Sequence, residues 1–329
     1  MKELIAAFPG QLEEALRIGQ SYSFKAPAEM PANVVLTGLG GSGIGGSIVQ
    51  NYVFDKLKVP FTVNKDYFLP AFVNEKTLVI VCSYSGNTEE TLMAMKQAMK
   101  AKAKIVCISS GGEVQAIANK KSYDCIVVPG GMPPRTCVGY SIVQTLFILR
   151  HFGLLKTGFE KEVAASISLL KEEEGTMQKK AKALAAKLHG KLIVIYAAQA
   201  FEGLAVRVRQ QINENAKMLG WHGAIPEMNH NELVGWKEKT DALGVLLLRT
   251  ENDYDRVQTR MEINKKIIRK YTANINEVFA KGSSYWEQIF YFIHLTDWLS
   301  LYLSELHGVD SMEVAVIDLL KGELGKKAL

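Results

Sequence analysis

Two segments carry the residue types that hold an anion. Val34–Gly46 reads VVLTGLGGSGIGG and Val79–Glu90 reads VIVCSYSGNTEE. Each is a β-branched run that ends in small and hydroxyl residues and then passes into a helical pattern. Glycine lets the backbone approach a ligand closely and tolerates positive φ. A helix start offers unpaired N–H groups and the positive end of a dipole. Two such loops on neighbouring strands of one sheet make a site for an anion, above all a phosphate. In the second loop Ser83, Ser85 and Thr88 present hydroxyls beside free backbone N–H groups, which suits a phosphate dianion. Asn87 and Glu90 have capping-box spacing, and Glu89 and Glu90 are expected to face solvent. One serine-rich turn alone would read equally well as an ordinary capped loop; two together point to a phosphorylated small molecule.

Gly38–Gly43 also matches the G-x-G-x-x-G dinucleotide fingerprint. That fingerprint wants an acid at the tip of the second strand to hold a ribose hydroxyl. Here Phe61–Val63 runs into Asn64-Lys65, with Asp66 only beyond. A nicotinamide dehydrogenase is therefore the last of the readings.

The elements that must position these loops follow from periodicity. With 329 residues, 48% of them apolar and 22% charged, the chain has the make-up of a soluble globular protein with room for two domains. The net charge of +5 is spread over helical faces with no basic stripe, which argues against nucleic-acid binding. No apolar run is long enough to span a membrane, and the opening MKELIAAFPGQLEEAL turns acidic too early for a signal peptide. Cys82, Cys107, Cys125 and Cys137 lack metal-ligand spacing, and three of them fall in or beside apolar β-like runs and read as small buried thiols, consistent with a reducing cytoplasm.

After an opening helix over Glu3–Gln20, strand-length runs fall at Asn33–Thr37, Phe61–Val63, Leu78–Cys82, Lys104–Ile108 and Cys125–Val128. Helical patterns cover Gly45–Phe54, Thr88–Ala101, Val114–Asn119 and Gly139–Phe152. Alternation of this kind predicts a doubly wound parallel α/β sheet. Gly153 breaks the pattern, a long charged helix covers Glu160–His189, and the order repeats. Lys191–Ala197, Leu243–Leu248 and Ile275–Phe279 are strands, and Phe201–Leu219, Asp253–Lys270 and Tyr285–His307 are helices. The expectation is two tandem α/β domains, residues 1–153 and 154–329. The first strand of the second half ends in Ala197-Ala198-Gln199-Ala200 with no glycine loop, so the phosphate belongs to the first domain.

With both loops in place, the chain resembles the sugar isomerase (SIS) domain family, and within it the bifunctional phosphoglucose/phosphomannose isomerases. The resemblance rests on GGSGIGG, SYSGNTEE, PPRTCVGYS, NENAK, EMNHNELVGW and VAVIDLLK, in that order and nearly end to end. It implies two SIS-type domains flanked by helices. It also implies an aldose–ketose isomerase that interconverts glucose 6-phosphate, and with it mannose 6-phosphate, with fructose 6-phosphate through an enediolate, without metal or nucleotide. Gly41 and Ser42 match the first sugar-phosphate loop, and Ser83, Ser85 and Thr88 the phosphate loop. Arg135 matches the arginine near the reacting carbons, Glu214 the base, and His230 and Lys321 the groups that open the ring. Relatives of this kind are homodimers in which the matching histidine comes from the partner.

The residue types fit that chemistry. If the helix bearing Glu214 faces a cleft, partial desolvation makes it a better base; taken alone, it reads as a surface glutamate. Arg135 follows a double proline, which stiffens its loop, and a guanidinium is a fixed charge for an oxyanion. Gly220, Gly223 and Pro226 mark a loop, after which Asn229 and Glu232 are expected to form a capping box with His230 in the first helical turn. His222 is a rival in that loop, and no third ligand accompanies the pair to make a metal site. His294 reads as a satisfied core histidine. Lys321, near the end of the last helix, is lifted above a dipole partner only by the resemblance. Where relatives carry proline and threonine before that helix, this chain has Asp310-Ser311-Met312, and Ser311 is the candidate hydroxyl for mannose phosphate. A sugar-phosphate sensor would need the loops but no base, and an aminosugar synthase would need a glutaminase module, which this chain does not carry.

Overall fold

The computed structural model describes residues 1–24 and 30–326. The chain opens with α1 (Lys2–Ala6) and α2 (Phe8–Ser21) rather than one helix. Pro9, which has no N–H to donate, sits in the first turn of α2 and forces the break. Then come β1 (Asn33–Thr37), α3 (Gly40–Val53), β2 (Phe61–Asn64), β3 (Thr77–Cys82), α4 (Glu89–Lys100), β4 (Lys104–Ser109), α5 (Gly112–Lys121), β5 (Asp124–Val127) and α6 (Val138–His151). All five strands pair in parallel, in the order β2-β1-β3-β4-β5. Every residue of β3 is buried, as a strand covered by helices on both faces requires.

Beyond Gly153, whose φ is +68°, the second half runs α7 (Phe159–Leu188), β6 (Leu192–Ala198), α8 (Glu202–Ala216), β7 (Gly220–Ile225), β8 (Leu243–Arg249), α9 (Asp255–Ile268), β9 (Ile275–Phe279), α10 (Tyr285–His307) and α11 (Ala315–Leu324). Its sheet is parallel in the order β7-β6-β8-β9. Both sheets thus place their first strand between the second and third, and the chain is two tandem doubly wound units.

One apolar core runs through both, from Leu36, Ile48 and Phe147 to Ile195, Leu247 and Trp298. α10, most of whose residues are buried, lies inside it and packs on α7 and α8. Its start is fixed by a capping box between Ser284 and Glu287 that the sequence reading passed over. α3 and α8 join the halves: the N–H of Gly203 at the start of α8 donates to Asn51 Oδ1 late in α3, at 2.9 Å.

Three expectations change. Gly220–Gly223 is not a loop but edge strand β7, paired along its length with β6. The helix α8 stops at Ala216, because Lys217 turns to φ +55° and reverses the chain. His230 is not in the first turn of an α-helix: it ends a short 3-10 turn, Glu227–His230. Asn229 bonds Asn264 at 2.7 Å, and the next turn is capped instead by the side chain of Asn231.

Candidate active site

In an open parallel sheet a ligand sits outside the carboxyl ends of the strands where the order reverses, here between β1 and β3. The two anion loops meet at that point. The backbone N–H of Tyr84, just past β3, donates to Ser42 Oγ in the first turn of α3 at 3.2 Å. Ser83 and Thr88 bond each other through their hydroxyls at 3.0 Å, and Ser85 stands exposed at the rim. The Ser83 N–H is not free, since it donates to Ile108 O at 3.0 Å. The free donors are instead at the start of α4, where Thr88 is the N-cap and no side chain caps the turn. The expected Asn87–Glu90 box is absent. Asn87 Oδ1 accepts from the N–H of Glu113 at the start of α5 (3.0 Å), which pins the phosphate loop to its neighbour. Gly86 holds φ +72° with Gly111 O against it, so no side chain fits between these loops.

Arg135 lies in a 3-10 turn, Pro134–Thr136, pressed against α3: a Cβ on Gly41 would stand 2.5 Å from Pro134 O. Its side chain is 7% exposed and held by residues of the other half. Nε donates to Asn215 Oδ1 (2.8 Å), Nη2 to Ser311 O (2.8 Å), and Nη1 lies 3.6 Å from Glu214 Oε2. Behind it runs a buried polar chain. Arg207 donates to the carbonyl of Arg135 at 3.2 Å and grips Asp297 through both oxygens, at 2.5 and 3.0 Å. Asn215 Nδ2 donates to Ser300 Oγ at 2.9 Å. The expected desolvation of Glu214 is partial, with 31% of its side chain exposed.

Lys217 ties the site to the C-terminal segment. Its ammonium donates to the carbonyls of Glu214, Asp310 and Glu313 at 2.7–2.8 Å, and burial pulls its pKa down. Burial also pushes the Cys82 thiol, beside Ser42, up to about 12, so it remains a neutral filler. All four cysteines are free; Cys82, Cys107 and Cys137 are buried and Cys125 is half-buried. His294 is only half satisfied: Nε2 pairs with Glu174, while buried Nδ1 has no partner among the described residues.

Gly41, Ser42, Ser83, Ser85, Thr88, Arg135 and Glu214 therefore cluster at the meeting of the two halves. His230 and Lys321 do not join them within one protomer. Glu214 is near the end of α8, just before β7 begins, whereas exposed His230 follows the far end of that strand, which rises roughly 20 Å over its six residues. Lys321 is on α11, none of whose residues is buried, and its ammonium has no partner among the described residues. The sequence reading missed Tyr84, Lys217, Arg207, Asp297 and the role of Asn215; Tyr84 inside SYSGNTEE, and Asn215 and Lys217 inside NENAK, had a signal to find them by, whereas Arg207 and Asp297 had none.

Residues 31–131 match the SIS domain, and residues 177–324 match the bacterial phospho-glucose isomerase C-terminal SIS domain. A bifunctional phosphoglucose/phosphomannose isomerase of Caldicellulosiruptor bescii is 38% identical over 99% of both chains. The chain belongs to the bifunctional phosphoglucose/phosphomannose isomerase family. A second member, from Aquifex aeolicus, is 36% identical over 90% of this chain and 91% of its own. The C-terminal domain of glucosamine-fructose-6-phosphate aminotransferase from Francisella tularensis shares the fold, with a TM-score of 0.78 at 13% identity over 94% of this chain and 97% of that one. Among the described residues of this family member, no group of three or more His, Cys, Asp and Glu is arranged to hold a metal, and no helix is long and apolar enough to cross a membrane.

Proposed function

We propose that this protein interconverts glucose 6-phosphate and fructose 6-phosphate, and also accepts mannose 6-phosphate, by moving one proton between C1 and C2 through an enediolate. The observation that carries this reading is Glu214 Oε2 standing 3.6 Å from the buried Arg135 guanidinium, beside two anion loops of the other half. Residues 1–153 hold the phosphate on Ser83, Ser85, Thr88 and the open N–H groups of α4, with Gly41 and Ser42 against the sugar. Residues 154–329 supply the base. Glu214 takes the C2 proton of the open-chain aldose and returns it to C1, while Arg135, which cannot release its proton, holds the oxyanion. Ser311 is the hydroxyl for mannose phosphate.

Ring opening falls to His230 and Lys321 in a homodimer, His230 reaching the partner's site. The distance from His230 to its own Glu214 and the exposed Val316, Leu319 and Leu320 of α11 support that assembly. Such an enzyme works in the cytoplasm. The test is purified protein with fructose 6-phosphate and no added metal or nucleotide, coupled to glucose-6-phosphate dehydrogenase, with mannose 6-phosphate in parallel. Turnover of fructose 6-phosphate is expected; binding without turnover refutes the reading and favours a sensor.

A further inference from the structure

The turn that carries Arg135 runs into α6, whose first residues have no local side-chain cap. The opening N–H groups of a helix lack partners within it. The Gly139 N–H nevertheless has one: it donates to Gln11 Oε1 at 3.0 Å, from 128 positions away on α2. The same carboxamide reaches the turn itself, Gln11 Nε2 donating to the carbonyl of Thr136 at 2.7 Å. Gln11 is buried, and both bonds lie in the interior, where no solvent replaces them.

The fit is specific to glutamine. Gly139 offers a donor and Thr136 an acceptor, so a carboxylate would oppose the Thr136 carbonyl and a hydrocarbon would strand both groups. The approach is close as well: a Cβ on Gly139 would stand 2.6 Å from Gln11 Oε1. The support behind Gln11 is fixed, since Glu14 on α2 accepts from Tyr140 Oη at 2.6 Å and the Ala15 carbonyl accepts from Gln144 Nε2 at 2.7 Å. From the second half, Arg207 donates to the preceding carbonyl, that of Arg135. Two successive carbonyls of the turn are therefore held by side chains of different helices, α2 and α8.

We propose that Gln11 is a positioning residue for the isomerisation, one that fixes the backbone from which Arg135 reaches the reacting carbons. This rests on the reading that places Arg135 there. The guanidinium end of Arg135 is tethered to the second half through Asn215 and the Ser311 carbonyl. Gln11 ties its backbone end to the first half, which carries the anion loops. Only with both ends held does the guanidinium keep one distance from the phosphate and another from Glu214.

The test compares wild type with Gln11→Met, which keeps the side-chain length and loses both bonds. The readouts are kcat for fructose 6-phosphate in the coupled assay and calorimetric affinity for glucitol 6-phosphate, an alditol ester with no carbonyl to isomerise. The kcat is expected to fall about tenfold to hundredfold with the glucitol 6-phosphate affinity unchanged. That loss should vanish on an Arg135→Gln background, because two changes acting through one group do not add. Should Gln11→Met fail to fold, Gly139→Ala presses on Gln11 Oε1 from the other side and should lower kcat in the same way. Wild-type kcat in a folded form of either variant overturns the proposal. So does a loss repeated in full on the Arg135→Gln background, which would make Gln11 a purely structural brace, or an affinity for glucitol 6-phosphate that falls in step with kcat. Wild-type kcat in Arg135→Gln alone refutes the reading of Arg135 and this proposal with it, so that single variant tells the two failures apart.

Discussion

Gly41→Ala separates the two halves of the proposed chemistry. Gly41 is in the first turn of α3, where alanine would normally stabilise a helix by roughly 0.5–1 kcal/mol. Its added Cβ, however, would stand 2.5 Å from Pro134 O, whereas ordinary contact begins at 3.4 Å. The obstacle is backbone, so the Pro134–Thr136 turn must retreat by about 0.9 Å, and Arg135 moves with it. Arg135 cannot simply swing back, since Asn215 and the Ser311 carbonyl hold its guanidinium from the other half. Overpacking of this kind costs roughly 1–3 kcal/mol of stability, and a misplacement near 1 Å costs about a hundredfold in rate. The variant is expected to fold with a slightly lowered midpoint, to bind fructose 6-phosphate through Ser83 and Thr88 nearly as well as wild type, and to lose about one to two decades of kcat in the coupled assay. Gly10→Ala, where nothing lies within 4 Å, is the neutral control. Wild-type kcat in a folded Gly41→Ala protein would refute the placement of Arg135 at the reacting carbons.

Four further outcomes are expected. Glu214→Gln should abolish exchange of the C2 proton with solvent while leaving sugar-phosphate binding near normal; retained exchange removes Glu214 from its role. Arg207→Met strands Asp297, 7% exposed, without its partner, and should cost about 3–5 kcal/mol in chemical denaturation, with Arg207→Met/Asp297→Leu recovering much of it. Lys217→Met should raise protease sensitivity around 310–313 and lower activity without disturbing phosphate binding, because three carbonyls lose their shared donor. At Arg249 the sign is set by two carboxylates. Hydrogen bonds from Arg249 and then Lys265 hold Glu262 below its ordinary 4.5. At Glu277 burial pushes upward and hydrogen bonds from Lys265 and Arg249 more than reverse it. The stabilisation is therefore complete above pH 4.5 and lost as pH falls through the lower folded values. Arg249→Leu should shift the urea midpoint at pH 7 and much less at pH 3.

The strands, the order of the helices and the anion loops were legible because each is written locally, as a β-branched run, a 3.6-residue period, or a glycine–hydroxyl turn before a helix. What was misread depends on distant partners. The run Gly220-Trp221-His222-Gly223 looks like a loop from its glycines, yet Gly220 is there because Ile193 O would stand 2.5 Å from any Cβ, so the glycine marks close strand pairing. Asn87 and Asn229 have capping-box spacing, but each spends its amide on a residue far along the chain, Glu113 or Asn264, where tertiary geometry offered the better acceptor or donor. Spacing states which bond is possible; the fold decides which is made. The same logic governs the site. Glu214 and Arg135 are 79 positions apart and meet because α8 runs antiparallel beside α3, a consequence of both halves repeating one topology. That repetition leaves His230 at the opposite end of its own sheet. If the proposed homodimer brings His230 to the partner's Glu214, a protomer held monomeric by charged substitutions at Leu319 and Leu320 is expected to bind the sugar phosphate and turn it over at least about a hundredfold more slowly.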